Sequence, residues 1–412
     1  MSTIKPFCAI RPAADKAAKV ASHSIERYSK ATIEEILSGN PISFLQVIYS
    51  GKSVKGPYHE QLKAIKKKFD LFNAEKILQQ DKKPCFYIYR QVKDKRSHLG
   101  IIALASVEDY KKGIIRIHEQ TLAEREEKLK EYLTVCDFNA EPVCLTHPYN
   151  KELDKFLKAA AKGKPLYDFS ADHIHHSIWQ VNTKAGINSI TKFFKKMPNL
   201  YIADGHHRAA SSTLLAEMKK KSNKKHTGKE AYNYFMSAFF AETELTIVNF
   251  DRMVATLNQH STKSFLKALS TNFEVTLKGK KAYKPASASE MSLYIEKNWY
   301  LLKTKKSVGK TKDPVDTLDV SILSNYILSP ILNITDLRND KRIAFIPGIK
   351  DLEEIHKAVD SGKMKAAFCL YPISFKELKA VADSGREMPP KSTWIEPKLE
   401  SGLLVYSLSK NS

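Results

Sequence analysis

Two periodicities run through this chain and predict its elements. Runs that are apolar throughout, or alternate every second residue, predict strands at Cys85 to Gln91, Leu99 to Val107, Pro142 to Pro148, His173 to Val181, Phe235 to Phe240, Leu245 to Val248, Arg342 to Gly348 and Ala366 to Tyr371. The second of these is almost wholly apolar, as a strand covered on both faces should be. Helical spacing marks Tyr58 to Leu78, a charged stretch from Leu122 to about Leu133, the segment that runs to about Lys162, and Asn188 to Lys196. Asn40 to Tyr49 predicts a turn leading into an apolar strand. Asp251 to about Lys312 predicts helix, strand, helix, strand, and Asp313 to Leu332 a largely helical region. The mixture predicts an α/β or α+β protein.

Composition changes this picture little. With 412 residues, 42% hydrophobic and 10% aromatic, the chain can bury a large core, divided into two or three lobes. Met1 to Lys19 lacks the apolar run of a signal peptide, and no stretch approaches a membrane span, so no membrane partner is expected. Cys8, Cys85, Cys136, Cys144 and Cys369 are scattered without metal spacing, which predicts reduced thiols in a cytosolic protein. The formal charge of +22 invites a nucleic-acid reading. The lysines, however, cluster in mixed polar runs such as Met218 to Lys225, without interleaved aromatics or a DNA-binding motif. Nucleic acid is therefore not the expected partner, and a field drawing in small anionic substrates fits equally well.

Candidate chemistry lies in three places. Tyr201-Ile202-Ala203 reads as the end of a buried strand, Asp204-Gly205 as a turn, and Ala209 to Ala216 as a helix. His206, His207 and Arg208 then stand at a helix N-terminus, where free amides and the dipole seat an anion. Asp204 is expected to cap the helix and to hold a divalent metal, and Arg208 to fork onto phosphate. Upstream, Arg116-Ile117-His118-Glu119-Gln120-Thr121 sets a carboxylate beside an arginine, a histidine and a threonine. Glu119 suits the base that takes a hydroxyl proton in phosphoryl transfer, and Arg116 suits substrate recognition. The bland reading has Glu119 favouring a helix start that Thr121 caps. Near the C-terminus, Pro389-Pro390 stiffens the entry to a donor cluster, Lys391-Ser392-Thr393. No Walker loop occurs anywhere, nor the protein-kinase loop set. Asp172, His173, His175 and His176 with His206 and His207 offer a zinc or iron alternative. No His-Glu-x-x-His pattern accompanies them, and Mg²⁺ held by Asp204 and a nucleotide is the favoured metal.

These motifs carry a resemblance. Tyr89-Arg90-Gln91, Val107 to Tyr110 with Gly113, His118-Glu119 and Thr121, Ala203 to Arg208, and Met388 to Thr393 occur in this order. Together they resemble a bacterial family catalogued as a domain of unknown function, DUF1015, from Arg11-Pro12 to Gly402. The Asp-Gly-His-His-Arg segment in turn resembles the phosphate box of ParB/sulfiredoxin-like proteins, among which free serine kinases pair a His-Glu segment with such a box. The resemblance implies a ParB/sulfiredoxin-like catalytic region with an N-terminal elaboration (1–245), an accessory α/β lobe (246–325) and a C-terminal segment returning to the catalytic cleft (326–412). It also implies a phosphotransferase with an alcohol acceptor, making O-phospho-L-serine from free L-serine or a similar hydroxyl metabolite, with ATP or ADP as donor and Mg²⁺. Glu119 and Asp204 become catalytic. Gly205, His206, His207, Arg208, Lys391, Ser392 and Thr393 become nucleotide- and phosphate-binding, and Arg90, Arg116, His118 and Thr121 substrate-binding. Two segments depart from the family pattern: Ala21 to Tyr28 lacks Pro-Tyr-Asp, and Val248 to Arg252 replaces Pro-x-His-Arg. The competing reading is a ParB-like nucleotide- or nucleic-acid-binding regulator that uses the box without metabolite kinase activity.

Overall fold

The computed structural model describes residues 1–348 and 352–409. The chain forms two compact units. Unit 1 contains Met1–Ile117, Thr121–Leu245 and Pro397–Ser412, and unit 2 contains His118–Gln120 and Thr246–Glu396.

Unit 1 is built on a mixed sheet. Its strands run in the order Ile115–Arg116, Leu200–Asp204, Val143–His147, Tyr234–Ala241, Arg96–Ser106, Phe86–Lys93, Ile174–Val181, Tyr167–Ala171, with Ile4–Lys5 also paired to Arg96–Ser106. Leu200–Asp204 lies parallel to Ile115–Arg116 and antiparallel to Val143–His147. Ile88, Ile101, Leu145, Ile202 and Phe239 from the central strands bury against Leu153, Ile190, Phe194 and Ala209 from helices. A second core forms where the helix Tyr58–Ala74 turns Leu62, Ile65, Phe69 and Phe72, spaced three and four apart, onto Phe44, Val47, Phe138 and Val405.

Unit 2 carries an antiparallel six-stranded sheet in the order Phe273–Gly279, Asn298–Thr304, Glu290–Ile295, Ala366–Leu370, Phe250–Val254, Ile343–Pro347. Glu296 and Lys297, both at positive φ (45° and 59°), close the tight hairpin between Ile295 and Asn298. Met253, Tyr294, Trp299, Ile355 and Val359 fill its core. The fold is thus mixed α/β in both units.

Three local expectations are corrected. Leu45–Ser50 is a helix, not a strand, because a short buried apolar run satisfies either period; here Val47 packs in the second core and Leu45 is also buried. The stretch from Asp251 to Lys312 holds one helix, Thr262–Leu269, among four strands. In Asp313 to Leu332 only Asp319–Leu323 is α-helical, continuing as a wider π turn over Ser324–Leu328.

The returning segment of unit 1 depends on one glycine. Gly402 sits at φ +77°, and a Cβ there would stand 2.2 Å from Phe44 Cγ. Left-handed backbone and overpacking both penalise a side chain at this position. Gly402→Ala should lower unfolding free energy by about 2–4 kcal/mol in denaturant titration, from those two costs together. A stability equal to the wild type would show that the segment adapts.

Candidate active site

The strand Leu200–Asp204 is buried from Leu200 through Ala203 and surfaces at Asp204. Gly205 then takes φ +97° and is the N-cap of the helix His206–Ser222. This left-handed backbone favours glycine, and a Cβ would in addition stand 2.7 Å from Arg208 Nε. Asp204, expected as the cap, is not one. Its side chain is drawn instead to two cations: Oδ2 accepts from Arg208 Nη2 at 2.8 Å, and Oδ1 from Lys398 Nζ at 3.1 Å. Arg208 also donates through Nη1 to Glu141 Oε2 at 2.5 Å, and Glu141 Oε1 accepts from Ser401 Oγ at 2.7 Å. Five side chains from three distant parts of the sequence therefore form one polar chain beside the helix start.

Burial pushes the Asp204 carboxyl up, but Lys398, Arg208 and His206 outweigh it and hold it at about 2. The depressed value means that this carboxylate stabilises the folded state above its ordinary value of 3.8, and that the contribution is lost as pH falls toward 2. For Arg208, burial alone would lower the pKa, and Glu141 and Asp204 raise it. Asp204 and Arg208 are therefore both charged at neutral pH.

His206 is 3% exposed and His207 Nε2 accepts from Leu122 N–H at 3.1 Å, tying the helix start to the beginning of Ala123–Cys136. Thr121, expected as the cap, is not one: the N-cap falls on Leu122, and the Thr121 hydroxyl donates to the Glu126 carboxylate. Ser211, Ser212 and Thr213 donate to the carbonyls of His207, Arg208 and Ala209, so the helix presents a small, satisfied surface to its neighbours. Arg116 pairs in register with Tyr201, on the strand that leads to the box. Arg90 points the other way. It donates to Ser177 Oγ at 3.1 Å and lies over the Trp179 ring, while Gln91, on the opposite face, donates to the Lys398 carbonyl at 3.1 Å.

Unit 2 gathers the other candidates. The His118 carbonyl accepts from Met388 N–H at 2.8 Å, and Gln120 Oε1 from Arg338 at 2.9 Å, so Glu119 projects as an exposed carboxylate from a segment tied at both ends. His118 itself is buried. Lys391 takes φ +56° with its ammonium over the Phe250 ring, and its carbonyl accepts from Arg252 Nη2 at 2.9 Å. Ser392 is buried, and its hydroxyl closes the turn onto the Pro389 carbonyl at 2.5 Å. Thr393 is half-buried beside it.

Both Asp204 oxygens are engaged by cations, and among the described residues no group of three His, Cys, Asp or Glu side chains could hold a metal ion. A resident Mg²⁺ on Asp204 does not fit this arrangement, since it would have to displace Lys398 or Arg208. His173 lies in a left-handed turn at φ +62°, whereas His175 and His176 point to opposite faces of their strand. Among the described residues no helix is long and apolar enough to cross a membrane.

Sequence reasoning missed Lys398, Glu141 and Ser401, and named Gln91 only within the Tyr89-Arg90-Gln91 motif, without a role. Nothing local marks the first three, although Lys398 follows Thr393 closely in the same C-terminal stretch.

Among solved structures the chain is similar to a free serine kinase variant in complex with AMP, at 12% sequence identity, covering 74% of this chain and 92% of that one, with a TM-score of 0.38. It is similar to SbnI with a C-terminal truncation from Staphylococcus aureus, at 13% identity, over 76% and 90% of the two chains, with a TM-score of 0.38. A conserved hypothetical protein from Pyrococcus furiosus matches at 12% identity, over 76% and 98%, with a TM-score of 0.36. Comparison with curated proteins finds no match. The model of the family described as protein of unknown function (DUF1015) matches residues 4–321, well over half of the chain, and the chain belongs to that family.

Proposed function

We propose that this protein transfers a phosphoryl group from a nucleotide, ATP or ADP, to the hydroxyl of a small metabolite, with free L-serine the first candidate acceptor and O-phospho-L-serine the product. The observation that carries the reading is the box at Asp204–Arg208. A left-handed glycine opens a helix N-terminus beside a fixed guanidinium and an ammonium, which suits a phosphate better than any other common ligand group. The His206–Arg208 segment binds the phosphates and neutralises charge on the transferred group, with Lys391, Ser392 and Thr393 as further donors. Glu119 accepts the hydroxyl proton as the oxygen attacks phosphorus and the bond to the nucleotide's leaving oxygen breaks. Arg116, His118 and Thr121 orient the acceptor. Arg90, turned toward Ser177 and Trp179, is the weakest member of that set.

Purified protein incubated with a panel of amino acids, Mg²⁺ and either ATP or ADP should yield a phosphorylated amino acid by mass spectrometry, serine foremost. Nucleotide binding without any phosphorylated product, under either donor, would point to a regulator that uses the box only to bind.

A further inference from the structure

Lys398 has no place in the motifs that brought the box to notice, yet it is the residue most deliberately delivered to it. It lies 194 positions from Asp204 along the chain. The segment carrying it is held on both sides. Gln91 donates to its carbonyl, Ser401 and Ser22 exchange backbone hydrogen bonds at 2.7 and 3.2 Å, and Glu400, buried, pairs with His23 Nδ1 at 2.8 Å. Ser401 reaches Glu141, the far partner of Arg208. An ordinary surface ion pair is loosely held and contributes little. Here the backbone is fixed around the lysine, and its side chain is only 17% exposed.

We infer that Lys398 is the phosphate-contacting ammonium of this box, and that Asp204 serves to hold Lys398 and Arg208 in place rather than to bind a metal. The inference rests on the phosphotransferase reading for its catalytic meaning. Its binding content is independent. The chain has no Walker loop to supply a lysine from within the helix turn, so the point charge that such loops aim at phosphate oxygens must come from elsewhere. Lys398 meets that need: its Nζ stands on one oxygen of the carboxylate immediately before Gly205, while Arg208 holds the other. An anion at the helix N-terminus then meets a fork from Arg208, a point charge from Lys398 and the amides of the first turn. Phosphoryl transfer is chiefly a matter of positioning and charge neutralisation, and a tethered ammonium supplies both. Asp204 keeps the two cations apart at a fixed spacing and lowers the cost of gathering them.

The test uses inorganic pyrophosphate as the probe, followed by isothermal titration in metal-free buffer. Wild-type protein should bind it, and Lys398→Met should bind about 10- to 100-fold more weakly, the loss expected for one charge-assisted contact. If that variant fails to fold, wild-type protein answers alone: acylation of Lys398, read by mass spectrometry, should be slowed at least several-fold by pyrophosphate, whereas exposed lysines of Met218 to Lys225 should react unchanged. A lysine that merely clamps the tail would show no such protection. Equal pyrophosphate affinity in a folded Lys398→Met variant, or unprotected Lys398, would overturn the inference. Pyrophosphate bound through Lys398 with no acceptor phosphorylated would sink the kinase reading and leave this one standing.

Discussion

Glu119→Gln is expected to turn over 10²- to 10⁴-fold more slowly than the wild type while binding nucleotide with unchanged affinity, the usual worth of a positioned base. The amide keeps the size of the carboxylate and its exposed position, so the tie from His118 to Met388 and from Gln120 to Arg338 should survive. What it loses is the ability to accept a proton. Steady-state rates with the best acceptor from the amino-acid panel, beside nucleotide titration of the same preparation, separate the two effects. Near-wild-type turnover would place the base elsewhere and remove Glu119 from the chemistry. Parallel losses in rate and nucleotide affinity would make it a binding residue.

The second large effect is expected in unit 2. Arg252 is 1% exposed, yet among the described residues no carboxylate hydrogen-bonds it; it donates to the Phe250 carbonyl and to the Lys391 carbonyl and lies against the Phe345 ring. Burial lowers its pKa to about 10, and raises that of the neighbouring Asp251 to about 6. Arg252→Ala leaves a large cavity and the Lys391 carbonyl without its donor, and should cost about 3–5 kcal/mol in unfolding free energy. Lys391 is held at positive φ, a conformation that a lysine adopts only when its surroundings impose it. Its release should also speed hydrogen exchange through Met388 to Thr393. Unchanged exchange in that loop, at a stability within about 1 kcal/mol of the wild type, would show that the prolines alone set its shape.

What the amino-acid order revealed was local. The strand into Asp204, the glycine turn and the helix beyond it were legible because each is encoded within a few neighbouring residues. The same locality misled at Leu45–Ser50, where six residues are too few to tell a helical period from a strand's. It also misled at Asp204. Asp before Gly at a helix start reads as a cap, and only the arrival of Lys398 and the curl of Arg208 show why the side chain turns aside. The roles of Glu141, Ser401 and Gln91 were illegible for a different reason. Their partners are set by the sheet's strand order, which hydrophobic period does not determine. The two departures from the family pattern fall on residues with structural work to do: His23 holds Glu400, and Arg252 holds Lys391.

The return of Pro397 to unit 1 has a consequence for biosynthesis. Unit 2 is encoded almost wholly between Leu245 and Pro397, so a ribosome must make it before it can add Lys398. At typical elongation rates that interval lasts about 8–30 s. Throughout it the nascent unit 1 can already fold its sheet and pair Arg208 with Asp204 and Glu141, but it lacks the ammonium, Glu400 for His23, and Ser401 for Glu141. The half-made protein thus carries an immature box during translation. Phosphate affinity should arise late, as the returning tail threads against Ser22, Phe44 and Gln91.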